Sequence, residues 1–132
     1  MRPEFQRAAR FGDVGSIEEQ LGSGVDVDSL DRHGQTALML AAHNGCLDVI
    51  ESLLRHGAKL NVTAKYGLSA LMLAIVAGHE EVARTLVCAG ADLTILGTGP
   101  PGYSGKSAYH LAAEQGMEDL CSKIAARQPA GS

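Results

Sequence analysis

Glycines at 97, 99, 102 and 105 lead into Lys106 and Ser107 at the head of a helical pattern, the most chemically suggestive stretch of the chain. A loop of that make-up can wrap a phosphate with its backbone N–H groups while lysine and a hydroxyl reach the phosphate and a magnesium ion. The spacing is wrong for it. Four residues must separate the first glycine from the Gly-Lys pair, which puts Pro100 where glycine is required and leaves Gly99 one residue too far away. Gly97, Gly99 and Gly102 also satisfy the dinucleotide spacing, but that pattern needs a helix opening at its last glycine within a βαβ unit. Here two prolines precede Gly102 and the helix begins near Lys106. A P-loop-like nucleotide binder is kept as the distant alternative; the main expectation is an elongated hairpin finger.

The remaining reactive side chains are scattered. His33 and His56 fall in turns, while His43, His79 and His110 fall at helix positions. No serine or cysteine sits in a nucleophile turn, so nothing supplies nucleophile, base and charge stabiliser together, and no catalytic residues are assigned. The chain is expected not to be an enzyme and to carry no cofactor. Cys46, Cys88 and Cys121 form an odd count without a C-x-x-C pair and read as free thiols. Cys46 is the expected exposed thiol, and Cys121 is expected to turn inward. His43 with Cys46 gives two ligands where zinc needs four, so no metal site is expected. Asn61-Val62-Thr63 is a formal glycosylation sequon that is idle without secretion.

Composition narrows the functions further. Eleven Lys and Arg against fifteen Asp and Glu give a net charge of −4, the wrong balance for a nucleic-acid binder. The longest apolar runs fall far short of a membrane span, and Met1 to Gln6 lack the apolar stretch of a signal peptide. A cytosolic or nuclear location follows as the expectation, with neither membrane nor nucleic acid as partner. There is no Trp, and glycine makes up 16 of 132 residues, about twice its usual share. Thin layers of helix fit that composition better than one deep core.

The elements that must position these residues follow a fixed period. Gly12, Gly45 and Gly78 recur every 33 residues, as do Gly24, Gly57 and Gly90. Gly34 and Gly67 keep the interval, but Gly105 comes 38 later, and Gly116 is likewise 38 after Gly78, so five extra residues lie between Gly90 and Gly105. Thr36-Ala37-Leu38-Met39-Leu40-Ala41 aligns with Ser69-Ala70-Leu71-Met72-Leu73-Ala74 and with Ser107-Ala108-Tyr109-His110-Leu111-Ala112. In each, a hydroxyl opens a helix by accepting a bond from an unpaired N–H, apolar residues fill one face, and glycine ends it. Second helices follow at 47–55, 80–88 and 118–126.

This grammar resembles the ankyrin repeat, whose period is 33. The resemblance implies an all-α solenoid of helix-turn-helix units joined by β-hairpin fingers, one domain over 1–132. Its repeats would run from 2 to 30, 31 to 63, 64 to 101 with the insertion, and 102 to 127, followed by a tail at 128–132. Alanine at 37, 70 and 108 replaces the family's usual proline, and only His110 keeps the family's histidine where Met39 and Met72 stand elsewhere. Glu18, Glu19 and Gln20 at one end, and Lys123 and Arg127 at the other, read as polar caps of the stack.

The resemblance also implies what the protein does: a non-enzymatic protein-interaction module, an adaptor or a regulatory subunit, binding a peptide or domain on its concave face. A small inhibitor that occludes a kinase or other enzyme is the alternative. In the family, contacts come from finger tips and the far ends of first helices. From the first repeat those positions are Arg10 and Phe11; from the second, Arg32, His33, Gln35, His43 and Asn44. From the third they are Lys65, Tyr66, Leu68, Val76 and Ala77; from the fourth, Tyr103, Ser104, Lys106, Glu114 and Gln115. They carry four Lys or Arg against one acid, while nine of the fifteen acids fall on second helices. The expected partner is therefore acidic with apolar anchors, bound by a protein that is a monomer on its own. Asn61 is at the hairpin position that an asparaginyl hydroxylase can modify in the family; its plain role is a turn residue bonding its own backbone.

Overall fold

The computed structural model describes residues 1–99 and 102–127, and the expected tail at 128–132 lies outside them. Eight α-helices pair in sequence among the described residues: α1 Pro3–Phe11 with α2 Val14–Gly22, α3 Ala37–Asn44 with α4 Leu47–Arg55, α5 Ala70–Val76 with α6 Glu80–Cys88, and α7 Ala108–Glu114 with α8 Glu118–Arg127. The hydroxyls act where the period puts them. Thr36 Oγ1 accepts from Met39 N–H at 3.2 Å, Ser69 Oγ from Met72 N–H at 3.4 Å, and Ser107 Oγ from His110 N–H at 3.4 Å. His110 returns the bond: its Nδ1 accepts from Ser107 N–H, closing a capping box on its own helix. At the other end of α3, Gly45 has φ +73°, and a Cβ there would come within 2.7 Å of the His79 ring, so both backbone and neighbour demand glycine.

The helices form two layers. α1, α3, α5 and α7 pack side by side in one row, α2, α4, α6 and α8 in the other. Each apolar face is buried by the neighbouring repeat, as in any stack of this kind. Leu38 and Leu71, 33 apart, are both 1% exposed, whereas Tyr109 in the same register of the last repeat is 39% exposed, because no further helix pair covers it among the described residues. Leu53, Leu86 and Ile124 repeat the pattern in the second row, each fully buried. Gln20 holds the equivalent place in α2 and is half-buried.

The connections differ from the expected β-hairpins. No strand occurs among the described residues. Each finger is instead closed by one backbone bond in the same register: Asp31 N–H to Gln35 O at 2.9 Å, Ala64 N–H to Leu68 O at 3.2 Å, and Gly97 N–H to Lys106 O at 2.8 Å. In the first, the Asp31 carboxylate takes the N–H groups of His33 and Gln35. The third closure brackets the insertion.

Two further corrections concern side chains between repeats. Asn61 does not bond its own turn; its Oδ1 accepts from Asp92 N–H at 2.8 Å, and Asp28, 33 residues earlier, accepts from Lys59 N–H at 2.8 Å. The same staple thus ties each loop to the next. Glu18 is not a bare cap either. It reaches into the second repeat, accepting from Ser52 Oγ at 2.7 Å and Arg55 Nη2 at 2.9 Å, with His56 Nε2 at 3.7 Å. Ser52 is fully buried, and a buried hydroxyl needs such a partner.

The Ser52 hydroxyl first, then Arg55, holds the Glu18 carboxyl below its ordinary value of 4.5. A lowered folded pKa adds stability above the unfolded value and loses it as pH falls through the folded one. Glu18→Gln is therefore expected to lower the melting temperature at neutral pH, with the gap to wild type closing as the pH is taken below 4.5. Melts at several pH values check it; a pH-independent gap would mean that packing alone is responsible.

Candidate interaction groove

Where the first-layer helices meet the fingers, the surface sinks into a groove of about 540 Å³. α3 and α5 supply its floor with Leu40, Leu73 and Val76, joined by Leu68 from the return of the second finger. Leu40 and Leu73 stand 33 apart, one helical turn past the capping hydroxyl, so the repeat itself lines them up. Arg10 and Phe11, at the end of α1, line the groove together with Lys65 and Tyr66 of the second finger and Tyr103 of the third. Gln35, His43, Asn44 and Ala64 complete the lining. Phe11 is 79% exposed, a large aromatic with nothing over it.

Charge is distributed unevenly around this floor. Arg10 and Lys65 bring positive charge, and the lining contains no Asp or Glu among the described residues. Neither cation has a carboxylate partner among the described residues, and Lys65 Nζ sits 4.9 Å from the centre of the Tyr66 ring. The fourth repeat contributes less than expected. Lys106 pairs with Glu114, and Gln115 donates from Nε2 to Val76 O at 3.2 Å, so these side chains serve the stack and not the groove.

The ankyrin repeat family model matches residues 5–96 in three copies. The chain belongs to the ankyrin repeat family. Ankyrin repeats generally serve as protein–protein interaction modules, and the groove lies where this ankyrin chain brings its first-layer helices and fingers together. Among curated proteins, none matches closely enough to stand as a relative. The helix pair α7–α8 lies beyond the matched residues but repeats the capped-helix grammar and packs on α5 and α6 like its predecessors.

Arg10, Phe11, Gln35, His43, Asn44, Lys65, Tyr66, Leu68, Val76 and Tyr103 come together around this ankyrin groove. Arg32 and His33 sit exposed at the tip of the first finger, outside the lining, and Lys106 is tied to Glu114. Ala77 is half-buried and Ser104 exposed, both away from the lining. Leu68, read from sequence as a surface anchor, is only 4% exposed, as is Leu40, and both belong to the core beneath the groove. Leu73 was missed because an apolar residue on a helix face reads as core, and Ala64 because it sits in the loop before the second finger; Leu40 lines the groove from the core.

The thiols fall out differently too. Cys88 is the exposed one, because the last turn of α6 turns it away from the second layer. Cys46 lies half-buried against the first repeat, its Sγ 3.7 Å from Arg10 O, and burial pushes its pKa up. Burial, followed by Glu118 and Glu80, raises that of Cys121. In the glycine-rich loop the amides that a phosphate would need are already donating: Gly97 to Lys106 O, Gly105 to Gly97 O, Lys106 to Tyr103 O and Ser107 to His110 Nδ1. The lysine itself is held by Glu114. Pro100, at the position where a phosphate loop needs glycine, lies outside the described residues. No group of three or more metal-ligating side chains assembles, and no helix is long and apolar enough to cross a membrane, among the described residues.

Proposed function

We propose that the protein is a non-enzymatic interaction module, an adaptor or a regulatory subunit, that takes an acidic peptide segment with apolar anchors into the groove between its first-layer helices and fingers. One observation carries the reading: half-buried Leu73 and Val76 line the groove with the cations Arg10 and Lys65, which have no carboxylate partner among the described residues, in a chain whose net charge is −4. Acids concentrate on second helices such as α6, which opens with Glu80 and Glu81, so the two faces differ in sign. Charge of one sign at the rim steers and orients an oppositely charged segment, while desolvated apolar contacts hold it. Inhibition by occluding an enzyme's surface would use the same groove with a folded partner.

Selection from a random peptide display library, with no cell extract involved, tests the reading. Enriched sequences should combine Asp or Glu with Leu, Phe or Met, and should compete with one another for one site. Enrichment of basic sequences, or binding that survives Val76→Glu in the groove floor, would overturn it.

A further inference from the structure

We infer that the insertion in the third finger is a specificity element: it folds back on the second finger and holds Tyr66 as a pre-oriented anchor for the acidic peptide. The inference rests on the proposed reading of the groove. Tyr66 has φ +63°, the one residue other than glycine with a positive φ among the described residues. A side chain makes that conformation unfavourable, so surrounding contacts must sustain it. His33, in the same register of the first finger, has no positive φ and is exposed.

The third finger supplies the contacts. Thr98 N–H donates to Tyr66 O at 2.7 Å, which fixes the peptide unit that follows the strained residue. The Tyr103 ring lies 5.3 Å from the Tyr66 ring, tilted by 31°, an aromatic pair at ordinary contact distance. Lys65 occupies a position over the Tyr66 ring as well. Glycines make the approach feasible: a Cβ at Gly99 would come within 2.8 Å of Tyr66 Cδ1, and one at Gly97 would collide with Tyr103 O. Gly97 and Gly99, two of the glycines that imitate a nucleotide loop in sequence, therefore serve a docked finger.

Charge complementarity commits the occupant to an acidic segment. Tyr66 and Tyr103 line the groove with Lys65 and Arg10, with no carboxylate in the described lining. An aromatic anchor already fixed in place loses less freedom on binding than one that must be ordered. Tyr103 is thus a positioning residue that acts through Tyr66.

The test uses the acidic peptide selected on the wild-type protein and measures its Kd by calorimetry. Tyr103→Ala should weaken binding about tenfold, a scale set by the cost of ordering one side chain, while the chain still melts cooperatively. Tyr103→Phe, which keeps the ring pair, should restore it. In a Tyr66→Ala background, Tyr103→Ala should add no further loss. An equal loss in both backgrounds would show Tyr103 acting by itself and would overturn the inference. So would wild-type affinity in Tyr103→Ala while Val76→Glu abolishes binding, an outcome that leaves the groove reading standing. A peptide insensitive to Val76→Glu would instead bring down the groove reading. Ring-to-ring Overhauser contacts between Tyr66 and Tyr103 should appear in the free protein without any peptide, and their absence would overturn the docked finger directly.

Discussion

Removing residues 102–132 is expected to lower the melting temperature by more than the loss of any single buried side chain. α5 packs against α7 and α6 against α8, so the truncation strips the apolar sides of two helices at once. Leu86→Ala sets the scale. Leu86 is fully buried on α6, and such a change costs about 3 kcal/mol, or roughly 10 °C for a domain of this size at about 3 °C per kcal/mol. In a stack, stability comes from interfaces between repeats more than from any one repeat. A truncated chain that melts as the whole one does would mean that the last helix pair does not belong to the stack.

The second large effect is on binding. Tyr66→Ala is expected to weaken a selected acidic peptide by roughly 30-fold, equivalent to about 2 kcal/mol, the usual cost of removing an aromatic hot-spot residue. Lys65→Glu should weaken it in a salt-dependent way, mainly through the association rate. Arg32→Glu should change little, since Arg32 is exposed at the tip of the first finger and outside the groove. Leu68→Ala is a poor probe of the same surface. At 4% exposure it would open a cavity beneath the groove and confuse folding with binding. If Arg32→Glu proves as damaging as Lys65→Glu, binding extends to the finger tips and the groove is not its centre.

The period was legible because local chemistry enforces it. Thr36, Ser69 and Ser107 sit at helix starts where an unpaired N–H needs an acceptor, and Gly45 sits where the backbone turns left-handed. Position in the repeat also predicted most of the groove, since register decides which side chains share a face. What register could not reveal was how side chains spend their bonding capacity. Lys106 looks like a free cation until Glu114 is found beside it, and Glu18 like a cap until Ser52 and Arg55 are. Leu73 and Leu68 show the same limit for apolar residues: both read as hydrophobic, yet one is half-buried in the groove and the other lies in the core. The fold of the insertion was hidden too. Tyr103 looked like a side chain offered to a partner, and nothing in the sequence showed that its ring also packs on Tyr66. Pro100 and Pro101 of that finger lie outside the described residues.

The central claim is that the groove over α3 and α5 is where a partner segment sits. Titrating isotope-labelled protein with a selected acidic peptide, and following its methyl and amide resonances, tests this most directly. The Leu73 and Val76 methyls and the Lys65 and Tyr66 amides are expected to move most, with the acidic outer helices still. Shifts concentrated instead on α2, α4 and α6, around Glu51 and Glu81, would contradict it.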